Sequence, residues 1–188
     1  MQYRILGKTK LKVSTVGIGG NLFGYSCDQA STDRVLKTAE DFGVNLIDTA
    51  DVYSEGRSEK FIGTAIQGRR NKWILASKVG LLNNVSSHGL GKKENIIRRL
   101  EDSLKRLKTD YIDLYQIHHF DSLTPLGETF EAFNKLIENG KIRYAGCSNF
   151  NGNQLKIAES QTSEGIRFES TQAYYNILKR DLEGTILP

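Results

Sequence analysis

Gly17-Ile18-Gly19-Gly20-Asn21-Leu22 is the stretch on which the fold turns. It closes an apolar run and leads towards a helical pattern, the place where an open nucleotide-binding sheet carries Gly-x-Gly-x-x-Gly. Leu22 stands where the third glycine belongs, so that fingerprint fails. Outward from here, apolar β-branched runs alternate with helical patterns. Strands are expected at Val16–Gly19, Leu46–Thr49, Trp73–Lys78, Tyr111–His118, Ile142–Ser148 and Ser170–Tyr174. Helices are expected near Thr32–Phe42, Glu59–Gln67, Glu94–Leu107, Pro125–Asn139 and Gly152–Ser160. The fourth helix shows its period in Leu126, Phe130, Phe133 and Ile137, with Asn139-Gly140 as the stop. Strand starts recur about every 31 residues, and such alternation requires a parallel sheet with right-handed crossovers. With the open sheet disfavoured, the expected class is α/β, a (β/α)8 TIM barrel that is incomplete. About six of the eight βα units of that architecture are present. Tyr3-Arg4-Ile5-Leu6 and Leu11-Lys12-Val13 flank Gly7-Lys8-Thr9-Lys10, the pattern of a β-hairpin ahead of the first strand. No linker or low-complexity stretch intervenes, so residues 1–188 read as a single domain.

Composition narrows the function classes. The 188 residues suit one domain with its own core. No apolar run approaches the roughly 20 residues of a membrane span, and Met1-Gln2-Tyr3-Arg4 lacks the apolar core of a signal peptide. Cys27 and Cys147 have no Cys-x-x-Cys spacing, as expected of reduced thiols in a cytoplasmic protein. The net charge of +4 raises the question of nucleic acid. Lys92 to Lys108 holds Lys92, Lys93, Arg98, Arg99, Lys105, Arg106 and Lys108 against Glu94, Glu101 and Asp102, which equals the whole surplus. Ile96, Leu100, Leu104 and Leu107 give this stretch a core stripe, so its basic residues read mostly as a solvated helix face. No aromatic residues are interleaved for base stacking, and no nucleic-acid partner is expected.

In a barrel, reactive groups collect at the C-terminal ends of the strands. Those ends read Asp48-Thr49-Ala50-Asp51-Val52-Tyr53, Ala76-Ser77-Lys78, Gln116-Ile117-His118-His119 and Gly146-Cys147-Ser148-Asn149, with Gln172 in the sixth strand. An acid, a phenol, an amine and an imidazole converge with no nucleophilic Ser or Cys motif. A phenol is a poor proton donor, with a reference pKa near 10, and a buried cation beside it favours the phenolate. Lys78 suits that part, held by Asp48 through a charge-assisted hydrogen bond. His118 suits the polarising of a carbonyl through one ring nitrogen. Such a set fits protonation of an oxyanion during reduction of an aldehyde or ketone by hydride, which no side chain supplies, so a nicotinamide cofactor is implied. Asp48 also reads as a cap for the segment after it, and Tyr53 as amphipathic packing. His118 and His119 fall on opposite faces of an ideal strand, and alternation leaves open which of them faces the mouth. With Asp121 they fall short of the convergent three or four ligands of a tetrahedral site, so no metal is expected.

Asn45-Leu46-Ile47-Asp48-Thr49-Ala50-Asp51-Val52-Tyr53-Ser54-Glu55-Gly56-Arg57-Ser58-Glu59, Ala76-Ser77-Lys78, Asp113-Leu114-Tyr115-Gln116-Ile117-His118, Gly146-Cys147-Ser148-Asn149-Phe150 and Gln172-Ala173-Tyr174-Tyr175-Asn176 are five ordered blocks. Together they resemble the aldo-keto reductase family. The opening Tyr3-Arg4-Ile5-Leu6-Gly7-Lys8-Thr9 is similar to the branch holding bacterial general-stress reductases and potassium-channel β-subunits. The resemblance implies an NADP(H)-dependent oxidoreductase, with NAD(H) left open, that acts on a small-molecule aldehyde or ketone. It implies a tetrad in which Tyr53 donates the proton, Lys78 and Asp48 tune it, and His118 orients the carbonyl. It further implies that Ser148, Asn149 and Gln172 hold the nicotinamide carboxamide, while Gly19, Gly20 and Asn21 line the mouth, where missing side chains let cofactor and substrate approach.

The family pattern normally continues past Pro188 with two more βα units, which carry most of the cofactor-binding groups. An unclosed barrel exposes its first and sixth strands as edges, so self-association through those edges is expected. Three readings follow: a carbonyl reductase short of its last two units, a non-catalytic nicotinamide-binding or regulatory protein of β-subunit type, or an enzyme completed by a partner chain.

Overall fold

The computed structural model describes residues 1–80, 89–162 and 166–187. Strands β1 (Tyr3–Ile5) and β2 (Lys12–Ser14) form the expected hairpin. Six parallel strands follow in chain order: β3 (Gly17–Gly19), β4 (Leu46–Asp48), β5 (Ile74–Val79), β6 (Ile112–Ile117), β7 (Ile142–Ser148) and β8 (Thr171–Gln172). Their spatial order equals their sequence order, the mark of successive βα units winding one way, and β3 and β8 are the two edges of an open, curled sheet. Helices α1 (Gln29–Asp41), α2 (Arg57–Ala65), α3 (Lys93–Leu107), α4 (Leu126–Glu138) and α5 (Gly152–Ser160) cover the outer face.

Local chemistry sets the helix ends. Asp28 accepts a hydrogen bond from the Ser31 backbone and starts α1 a turn earlier than the apolar period alone suggests. Asn151 and Gln154 make a reciprocal capping box, and α5 begins where the sequence places it. Strand β8 is shorter than the expected Ser170–Tyr174, with pairs only at Cys147↔Thr171 and Ser148↔Gln172. A one-turn helix, α6 (Leu182–Thr185), was not anticipated by periodicity.

Strand alternation separates two cores. Outward residues such as Ile47, Leu75, Tyr115, Ile117 and Cys147 pack with Leu36, Ile62, Leu100, Phe130 and Phe133 of the helices. Inward residues Leu46, Ile74, Ala76, Leu114 and Tyr144 meet Leu11 and Val13 of the hairpin, which plugs the N-terminal end. Just outside that plug, Asp113 accepts from Arg70 Nη2 at 2.7 Å, Arg143 Nη1 at 3.0 Å and the Leu75 amide at 3.0 Å. Both guanidiniums lie 4.2 Å from the Tyr111 ring centre. Among the described residues no helix is long and apolar enough to cross a membrane.

Candidate functional site

At the C-terminal ends of the strands the inward positions turn polar. Register aligns Gly19 with Asp48, Lys78 with Gln116, and Ser148 with Gln172, so side chains distant in sequence share one layer. Lys78 is 1% exposed, and a buried ammonium must find partners. Its Nζ donates to Asp48 Oδ1 at 2.7 Å, Asp48 Oδ2 at 2.8 Å and the Thr49 carbonyl at 3.0 Å, and lies 3.4 Å from the Tyr53 hydroxyl. Asp48 is thus committed to Lys78 rather than to capping the segment after it. Tyr53 opens a short 3-10 turn, Tyr53–Gly56, and its ring stands edge-on to His118 with centres 5.8 Å apart. The structure therefore brings Asp48, Tyr53, Lys78 and His118 into one cluster.

His118 is 6% exposed, and its Nδ1 is buried with no partner among the described residues. Burial, then the Lys78 charge, then His119 push its imidazole from 6.5 down to about 3, so it is neutral in any physiological buffer. A neutral ring offers one N–H donor and one acceptor. His118 and His119 do not point to opposite faces. β6 ends at Ile117, so alternation has ceased, and the two rings stack 5.2 Å apart at 23°.

Asn149 has left-handed backbone geometry, φ 58°. Its amide donates to the His118 carbonyl at 3.0 Å and to Ser148 Oγ at 3.1 Å, and its Nδ2 lies 3.4 Å from His119 Nε2. Gln172 donates to Asp48 Oδ2 and accepts from Gln116 Nε2, each at 3.3 Å, long enough to exchange for better partners. Gln116 is a member of this layer that sequence reading did not single out. Its signal was position, two residues before His118 at an inward register. At the far side, a Cβ on Gly19 would meet nothing within 4 Å, so the mouth beside Asp48 is open. Gly20 has a packing reason to be glycine: its Cβ would stand 2.9 Å from Ser58 Oγ and 3.1 Å from Ile62 of α2. Asn21 is exposed at the rim. Asp121 accepts from the Gly91 and Leu123 amides and from Thr124 Oγ1, which ties it to loops rather than to the histidines. Among the described residues no three His, Cys, Asp or Glu side chains converge as a metal site would need.

The basic face of α3 is only partly solvated. Arg99 binds Asp51 at 2.6 Å, and Arg106 binds Glu59 at 2.7 Å. Both carboxylates are buried, and burial raises them above the usual range against the pull of the arginines.

Comparison with known proteins agrees with this architecture. The profile of the Aldo/keto reductase family matches residues 15–188. Aldo-keto reductase YhdN of Bacillus subtilis is 37% identical over 198 residues, covering 100% of this chain and 58% of YhdN. A probable voltage-gated potassium channel subunit beta of Arabidopsis thaliana is 37% identical over 163 residues, covering 84% of this chain and 49% of that protein. Among solved structures, the thermostable aldo-keto reductase Tm1743, in complex with the inhibitor epalrestat, superposes with a TM-score of 0.84 at 38% identity, covering 98% of this chain and 66% of that one. Aldo-keto reductase AKR11C1 from Bacillus halodurans, in its holo form, gives 0.86 at 37% identity, covering 98% and 61%. The chain thus spans about three fifths of the length of the reductases it matches. Sequence and fold agree over nearly all of its own length, and the chain belongs to the aldo/keto reductase family.

Proposed function

We propose that this chain carries the proton-transfer half of an NADP(H)-dependent oxidoreductase that reduces small-molecule aldehydes or ketones to alcohols. The observation that carries the reading is the ammonium of Lys78, buried between Asp48 and the Tyr53 hydroxyl. As negative charge develops on the carbonyl oxygen, Tyr53 gives up its hydroxyl proton. The charge left on the phenolate is met by Lys78, which Asp48 holds in place from the other side. His118, neutral and within ring contact of Tyr53, directs its N–H at the same oxygen and fixes its orientation. The residues around the mouth fit a flat carboxamide-bearing ring. Ser148 and Gln172 are paired in register, Asn149 stands beside them, and the space in front of Gly19 is open. When bound there, the nicotinamide supplies the hydride. The chain's own contribution is to orient that ring, admit the carbonyl and deliver the proton.

Two free cysteines, Cys27 and Cys147, accord with a reducing cytoplasm. The edges at β3 and β8 suit pairing with a second copy of the chain. The test is a fluorescence titration of NADPH, then NADH, into the purified chain, followed by a carbonyl screen with Tyr53→Phe as control. Saturable binding at about micromolar concentration, with turnover that falls by ~10²-fold or more in the variant while cofactor affinity holds, is the expected result. Equal turnover in the variant overturns the role of Tyr53. Binding without turnover favours the regulatory, β-subunit-like reading.

A further inference from the structure

The backbone that aims Tyr53 is strained. Ser54 and Glu55 follow it with φ of 51° and 60°, and Gly56 closes the turn at 82°. Two successive non-glycine residues in the left-handed region persist only where the surroundings over-determine them. Within the turn the Tyr53 amide donates to the Ala50 carbonyl at 3.2 Å and the Glu55 amide to Val52 at 3.1 Å, while Arg57 closes it, its amide on the Tyr53 and Ser54 carbonyls and its Nε on the Ser54 carbonyl at 3.0 Å. Both flanks of the turn are held in addition from outside it, by α3.

Asp51 lies two residues before Tyr53, and Glu59 lies three after Gly56. Arg99 grips the first with both Nε and Nη2 at 2.6 Å from Asp51 Oδ2. Arg106 grips the second with Nε at 2.7 Å from Glu59 Oε2, while Ser77 of β5 donates to Oε1 at 2.6 Å. Arg106 also floors the turn itself, since a Cβ on Gly56 would stand 2.8 Å from Arg106 Cδ. Arg99 and Arg106 are seven residues apart, two helical turns, so both project from one face of α3. Ser103 sits between them and accepts from Arg106 Nη2 at 3.0 Å. The Asp51 amide donates to the Lys78 carbonyl at 3.2 Å, which ties the clasped loop to the strand that carries the ammonium.

We propose that Arg99 and Arg106 are positioning residues for Tyr53: through Asp51 and Glu59 they clamp both ends of the left-handed turn and hold the phenol against Lys78. The catalytic half of this inference rests on the proton-donor reading of Tyr53. The geometric half does not.

The experiment replaces both clamps with Arg99→Lys/Arg106→Lys, which keeps the charges but removes the planar fork. Circular dichroism first establishes that the variant is folded. In protein labelled with ¹³C-tyrosine, the Tyr53 ring signal is identified by its loss in Tyr53→Phe. The expected result is that this signal shifts and broadens in the double lysine variant, while the other tyrosines hold except Tyr115, which adjoins the same charges. Wild-type turnover, where present, falls by ~10-fold or more in kcat, because a misplacement of about 1 Å is enough. Cofactor affinity stays within about twofold. A folded double variant whose Tyr53 signal is unmoved overturns the clamp. Should the double variant fail to fold, Arg99→Lys alone is read by the same signal. A wild type that binds NADPH without turnover defeats the proton-donor reading and leaves the ring signal to decide the clamp.

Discussion

The inward face of the sheet has two ends made from the same strands, and they do opposite things. Towards the N-terminal end, Leu46, Ala76 and Leu114 close on Leu11 and Val13 of the hairpin. Two residues further along each strand stand Asp48, Lys78 and Gln116. Two residues of a strand amount to about 6.6 Å, so the change from apolar plug to polar layer takes one inward step. The lower end gains stability from burying apolar surface. The upper end holds a lysine that is 1% exposed and a buried imidazole nitrogen without a partner among the described residues, which no stability argument would select.

That partition can be broken most directly at the upper end. Lys78→Met combined with Asp48→Asn should lower turnover by ~10³-fold or more. Its urea midpoint should match or exceed wild type, since removing both members of a buried pair is often neutral or stabilising. Steady-state rates and urea unfolding on the same preparation read both halves, and retained activity would dissolve the distinction. The reverse case is Leu114→Ala in the plug. It should destabilise by about 2–5 kcal/mol while the folded fraction keeps its wild-type kcat. A fall in kcat without loss of stability would show that the two ends are coupled.

The smallest effect sharpens the comparison through pH. His118 has a folded value of about 3 against an ordinary 6.5. Between those values the unfolded chain binds a proton that the folded one refuses, so stability falls as pH drops from 6.5 towards 3 and is unaffected above 6.5. His118→Gln should flatten that part of the curve. Urea midpoints measured across the range check it, and an unchanged slope would mean that the imidazole is not held neutral by the fold.

Most of the scaffold was legible from periodicity. Leu126, Phe130 and Phe133 are buried on α4 as their spacing required, with Asn139 as the helix cap and Gly140 left-handed after it. The four clustered residues were legible too, because each ends an apolar strand or follows one closely with a polar group. Less was visible where long side chains decide the outcome. Arg99 and Arg106 flank the apolar stripe of α3 and read as solvated, yet they reach inward along their aliphatic stems to carboxylates on α2 and its preceding loop. The one hint was Ser103, a small residue between two arginines on the same line of the helix. His119 was misassigned to the opposite face for a simpler reason: alternation holds only while the strand lasts, and β6 stops one residue before His118.

Asp113, beneath the plug, has a consequence for assembly of the sheet. It takes donors from the approach to β5, from β5 itself and from β7, so one carboxylate reports on three neighbouring strands at once. Should β6 slide by a single residue, its side chains would exchange faces, and that carboxylate would be buried without donors while two guanidiniums faced each other. A misaligned sheet is therefore penalised at its base. Asp113 thus favours a single alignment, and the register it fits at the base is the one that sets Lys78 opposite Gln116 at the other end of the strands.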